Sequence, residues 1–209
     1  VEHLQTLINR SQWGLPNLSG VKAAEYKLTF KSDQSDILPV YSFCMCPGGR
    51  IVPASTSRNT SIVNGMSNYQ RDLPFANAAI VAAVDLNKRL NREVSPGEAL
   101  DWLFQIENRF FELKQDFRIP ARKISDFIRG KSTAHLPDST YPFPRFDHDF
   151  ETLFPADIHR SLIEGLKSFS KKISGFEEGT IMGLESKTSA PIQVIRERDG
   201  RVVGFDRVY

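Results

Sequence analysis

Apolar positions change their period twice along this chain. Up to about residue 85 they come in short runs. Ala24-Glu25-Tyr26-Lys27-Leu28-Thr29-Phe30 alternates as a half-buried strand does, and further strands are expected near 38–44, 50–55 and 61–65. Short connections between them suggest an antiparallel meander. Val1 to Ile8 is only weakly amphipathic, Trp13 to Asn17 reads as loop, and Lys31 to Asp36 as a polar turn. Phe75 to Asp85 mixes helix-favouring alanines with Ile80, Val81 and Val84. Its shortness, and Pro74 before it, favour a buried strand over 79–84.

The period then becomes helical. Ser95-Pro96-Gly97-Glu98 has an N-cap serine, a proline at the first helical position and a glutamate that closes a capping box. Ala99, Leu103, Ile106, Phe110, Leu113 and Phe117 follow at spacings of four and three, which puts them on one face and leaves Glu107, Lys114 and Asp116 in water. Pro120 to Ile128 reads as a short helix stopped by Gly130, and Lys131 to Phe150 as a long loop. Pro155 opens another helix with the stripe Ile158, Leu162, Leu166, Phe169 and Ile173, ended by Gly175. Strands return at 180–185, 192–196 and 202–205, with Asp199-Gly200 as a hairpin turn. The order of strands, helices and strands predicts an α+β fold: an antiparallel β portion over 1–85, a helical insertion over 86–178, and strands over 179–209 that rejoin the β portion.

Composition narrows the function classes. In 209 residues, 40% are hydrophobic, enough for a substantial core, and the net charge of +2 gives no pull toward nucleic acid or anionic membrane. No apolar run approaches the ~20 residues of a membrane span. Cys44 and Cys46, the two cysteines, are too close in sequence to pair readily, which points to a reducing, cytoplasmic setting. A Cys-x-Cys pair without further cysteines or clustered histidines is no metal site. Asp147-His148-Asp149 reads as a solvated turn, and Gly65-Met66-Ser67 lacks the second glycine of a nucleophile elbow. No Gly-x-Gly-x-x-Gly or phosphate loop is present, so the usual means of holding a dinucleotide pyrophosphate is missing. No catalytic acid, base or nucleophile stands out.

Two glycine corners draw attention. Val40 to Cys44 runs into Cys46-Pro47-Gly48-Gly49, and Ile62-Val63 into Asn64-Gly65-Met66-Ser67. Glycine lets a neighbour or ligand approach the backbone. Two ordinary hairpin turns explain such corners as well. Ser186 to Ala190 is hydroxyl-rich: it suits a ligand contact through Thr188 and Ser189 or a plain Ser/Thr turn.

Val1-Glu2-His3, Ala24 to Leu28, Tyr41-Ser42-Phe43-Cys44-Met45-Cys46-Pro47-Gly48-Gly49, Asn64 to Ser67 and Glu185 to Pro191 together resemble the FAD-utilizing dehydrogenases, large bacterial flavoproteins. That family tends to Thr, Arg and Ser where this chain has Ser186, Lys187 and Ala190. The resemblance implies the central substrate or cap portion of a longer FAD-dependent oxidoreductase, consistent with a chain that starts at Val1 in mid-pattern. It implies that Cys46, Pro47, Gly48, Gly49, Gly65, Met66, Ser67, Thr188 and Ser189 face the FAD, with backbone amides of Gly48, Gly49 and Gly65 as the first contacts. The expected partners are a small-molecule substrate and the FAD-binding portions of the same polypeptide. A piece of this kind is expected to be inactive alone and to bind FAD only in the full-length protein. The alternatives are a stand-alone ligand- or protein-binding module and, less favoured for want of a nucleophile–His–acid set, a hydrolase.

Overall fold

Seven strands assemble into one sheet and two more into a hairpin beside it in the computed structural model, which describes residues 1–186 and 193–209. In chain order the elements are β1 (Glu2–Leu4), α1 (Gln5–Trp13), β2 (Thr29–Phe30), β3 (Val40–Cys46), β4 (Gly49–Pro53), β5 (Val63–Ser67), β6 (Phe75–Ala82), α2 (Leu86–Leu90), α3 (Pro96–Glu112), β7 (Ile119–Lys123), α4 (Ile124–Arg129), β8 (Arg145–Asp147), α5 (Ala156–Lys172) and β9 (Thr180–Met182). The large sheet runs β2-β3-β6-β1-β9-β7-β8, with every pairing antiparallel except β7–β8. The fold is α+β.

The meander does not form. β3 pairs with β2 and β6, whereas β4 leaves the large sheet and pairs with β5. The cause lies at the end of β3. Its register on β6 shifts between Phe43 and Cys46, where Cys44 takes a left-handed φ of 44°. Such a bulge bends a strand out of its ladder. The Pro47-Gly48 corner, with Gly48 at φ 51°, then delivers the chain to the second sheet.

Other departures have local causes. Helix α1 is hard to see because its buried face is polar: Gln5 Nε2 donates to Asn9 Oδ1 (2.9 Å) and to the Ala24 carbonyl (2.8 Å), and Asn9 Nδ2 to the Pro16 carbonyl (2.7 Å). Of the expected strand at 24–30 only Thr29–Phe30 is regular, while Leu28 is tied to Ser42 through both backbone and side chain at 2.8 Å. The expected helix at 120–128 is divided. Ile119 and Ala121 are buried against Ile51, Val63 and Met182, so 119–123 is strand, and the helix starts at Ile124. Asp147 does not lie in a solvated turn: it sits on β8 and takes a bidentate pair from buried Arg122 (2.9 and 3.2 Å). Thus the stretch 86–178, expected to be helical, also supplies two strands of the large sheet. Beyond β9, an isolated Arg196–Val202 bridge flanks the Asp199-Gly200 turn in place of two regular strands.

Helices α3 and α5 pack where their stripes predict. The α3 capping box is present in both directions. On α5, Ile158, Leu162, Leu166 and Phe169 are buried, and Gly165 lets Val40 of β3 close in on the helix. These side chains join Ile8, Phe110, Phe127, Phe150 and Phe176 in the main core. Helix α3 stops at Glu112, so Phe117 falls outside it and stacks, exposed, on Phe143. Glu107 is buried, contrary to its expected place in water.

His3, in the middle of the sheet, is buried between Tyr26 and Phe176, and its Nε2 bonds the Phe176 carbonyl at 2.8 Å. Burial drives its pKa from 6.5 down to about 4. The folded state therefore holds a neutral imidazole, and the unfolded chain binds the extra proton first. Stability is expected to fall by about 3 kcal/mol as pH drops from 6.5 to 4, and this loss to shrink in a His3→Gln protein, as read by urea denaturation across that range. By the same readout at pH 7, Phe169→Ala should cost about 3–5 kcal/mol and Ser95→Ala about 1 kcal/mol.

Candidate functional site

The two glycine corners meet. The β4–β5 ladder sets Gly49 opposite Ser67, Arg50 opposite Met66 and Ile51 opposite Gly65, and Ser67 Oγ donates to the Pro47 carbonyl at 2.9 Å. Met66 is exposed, whereas Pro47, Gly48 and Gly49 are buried. Cys46 is half-buried and opposes Asn77 across the β3–β6 ladder. Burial pushes its thiol pKa up, against a smaller opposing pull from Ser67. Its Sγ donates to the Cys44 carbonyl at 3.3 Å.

What fills the space over each glycine is the protein itself. A Cβ on Gly48 would lie 1.9 Å from the Arg71 carbonyl oxygen, one on Gly49 2.5 Å from that of Met66, and one on Gly65 1.8 Å from Asn77 Oδ1. The Gly48 amide donates to Gln5 Oε1 at 2.7 Å, so polar α1 holds the corner from behind. The Gly65 amide is placed differently. Val63 donates to the Leu184 carbonyl (2.8 Å), away from β4, and strand alternation turns Gly65 to the same side. Thr188 and Ser189 lie outside the described residues.

Gly65 and Asn77 border a cavity of about 330 Å³. Its walls are strand β6, the segment 181–186 with its bend at Gly183, and the apolar flanks of α3 (Trp102, Leu103) and α5 (Ile158, Leu162). Its polar groups gather at one end. Asn77 is 2% exposed, and among the described residues its Nδ2 has no hydrogen-bond partner. Burial raises the pKa of the Glu185 carboxyl. Ser186 Oγ donates to Glu107 Oε1 at 2.5 Å. This end thus offers the Asn77 amide donor and polar oxygens beside an apolar enclosure, the usual character of a small-molecule site.

The sequence reading did not single out Asn77, although one amide in the apolar run Phe75 to Ala83 was a signal. For Gln5 and Glu107 the 3.6-residue period misleads, because both are polar and buried. Among the described residues no cluster of His, Cys, Asp or Glu could hold a metal ion, and no helix is long and apolar enough to cross a membrane.

Residues 1–188 match the family model described as FAD-dependent protein, C-terminal domain-like. The chain belongs to this FAD-dependent family. It is also 34% identical over 203 residues to an uncharacterized protein of Clostridium beijerinckii. That alignment takes in 94% of this chain and 37% of the clostridial protein, so the chain spans a little over a third of that relative's length. The expected flavoprotein family holds at the level of FAD-dependent proteins.

Asn77 and Gly65 are expected to be coupled. Gly65→Ala should destabilise by about 1–3 kcal/mol through overpacking against the Asn77 amide. In an Asn77→Ala background the same change should cost much less, and a double-mutant cycle by urea denaturation measures the difference.

Proposed function

We propose that this chain is the substrate-side cap of an FAD-dependent oxidoreductase whose remaining polypeptide grips the cofactor. The match of residues 1–188 to an FAD-dependent family carries this reading. The residues fit one part of the cofactor only. Among the described residues there is no glycine-rich cradle for the pyrophosphate, and the Gly48 amide is committed to Gln5. The Gly65 amide and Asn77 Nδ2 fit the polar edge of a flat ring, with Met66 and Ser67 beside them.

When bound, FAD supplies hydride acceptance or donation at its isoalloxazine ring. This chain's part is to orient and to enclose. Trp102, Leu103, Ile158 and Leu162 would exclude water from the apolar body of a small substrate. Asn77 would donate to a substrate or ring oxygen, with the Glu185 carboxyl at the same end. The free thiols of Cys44 and Cys46 suit a reducing compartment such as the cytoplasm.

The full-length protein containing residues 1–209 is expected to purify with the absorption bands of bound flavin, which bleach on reduction with dithionite. A colourless protein that takes up no added FAD would contradict the proposal. Asn77→Leu should keep the flavin bound while changing its bleaching rate by a candidate substrate, because the grip on the cofactor lies elsewhere.

A further inference from the structure

The cavity beside Gly65 and Asn77 has two unlike parts, and each restricts what can occupy it. The apolar part is built by the helical stripes. Trp102 and Leu103 come from α3, Ile158 and Leu162 from α5, and the stacked rings of Phe150 and Phe154 (15° between planes) complete the wall. A compact apolar body gains from burial there. A charged group does not, because an ion taken out of water needs a paired counter-ion. Arg89 lies over the Trp102 ring at 5.9 Å, but Asp157 holds it in an ion pair.

The polar end selects in another way. Gly65 packs on Asn77 Oδ1: a Cβ there would lie 1.8 Å from it. The donor of the same amide, Nδ2, is buried and has no partner among the described residues. A buried donor left unpaired costs more than a typical hydrogen bond contributes, so the group that fits is an acceptor. The oxygens nearby have the wrong sign for an anion. Glu185 lines the same end, and Ser186 turns its hydroxyl hydrogen onto Glu107 (2.5 Å). A carboxylate or phosphate head would therefore sit among carboxyl oxygens. An ammonium head brings donors alone and would leave Nδ2 unpaired. Burial, which raises the pKa of Glu185, also works against the full negative charge that would attract it.

We infer that the substrate of this site is an uncharged molecule with a compact apolar body and one alcohol or carbonyl oxygen, which accepts from Asn77 Nδ2. This names the substrate class of the cap proposed above and rests on that reading for the chemistry the molecule undergoes. Its binding is a property of this chain's own residues. The oxygen satisfies Asn77, and the rest of the molecule enters the enclosure between α3 and α5. At about 330 Å³ the cavity is near the small end of the range for ligand sites, so a body of about two fused rings is the size expected.

Calorimetry on the full-length protein tests this with a series built on one body: α-tetralol, α-tetralone, tetralin, the tetralin carboxylate and α-aminotetralin. The alcohol and the ketone are expected to bind about tenfold or more tighter than tetralin. The carboxylate and the ammonium compound are expected to bind more weakly than tetralin. Asn77→Leu should bring the alcohol and the ketone to the level of tetralin, while tetralin itself still binds and so shows the enclosure intact. Asn77→Asp, close in shape, should cost the ketone its advantage and leave the alcohol, a donor as well as an acceptor, bound. Tightest binding by a charged member, an alcohol and ketone no tighter than tetralin, a preference that survives Asn77→Leu, or no binding by any of them overturns the inference. The cofactor reading fails separately: a colourless protein with the expected ranking keeps the ligand class, and a flavin-bearing protein that favours the carboxylate loses it.

Discussion

Three residues join the two halves of the large sheet. Glu2, His3 and Leu4 form β1, with β6 on one side and β9 on the other. Remove that strand and β2-β3-β6 parts from β9-β7-β8. A strand so short has few ladder bonds, and side chains make up the rest. His3 is wedged against Phe176 on the helical side, while Glu2 accepts from Thr140 on the other. Both are 2% exposed. The Glu2 carboxylate and the nearby Arg145 guanidinium each keep one buried atom without a described partner, so electrostatic attraction, the first of the forces opposing the burial of Arg145, also acts at this seam.

The cavity lies beside this seam. It is bordered by β6 from Asn77 to Ala82 and by Ile181 and Met182 of β9. Helices α3 and α5 close it on the main-core side, and the β4–β5 hairpin on the other. The bulge at Cys44 has its purpose here. It ends β3 at the level of Asn77 and sends the chain outward, so that the hairpin returns over the sheet and Gly65 lands on Asn77. A polar donor is thereby placed between an apolar enclosure and the hairpin, as the proposed cap over a ring-shaped cofactor requires.

Helices with apolar buried faces were legible in the sequence: the α3 capping box and the α5 stripe survive unchanged. Helix α1 was not, because Gln5 and Asn9 satisfy their amides internally and leave no hydropathy signal. Pro120 misled for another reason: a proline suits a helix start, but burial of Ile119 and Ala121 between β8 and β9 decided for strand. The glycine corners were legible as a unit, and the structure brings them together. Their physical reason was not, since the close neighbours are Arg71, Met66 and Asn77 from the chain itself, two of them through backbone carbonyls that sequence does not display. Asn77 was hidden in an alanine-rich run whose importance depends on a strand order that skips through the chain.

The central claim is that the polar end of the cavity, at Gly65 and Asn77, faces the flavin of an FAD-dependent protein. Crystallography of the full-length protein with FAD tests it most directly. The account predicts the isoalloxazine edge against Gly65 and Asn77. Flavin bound against a distant face, such as that of α4, would contradict it.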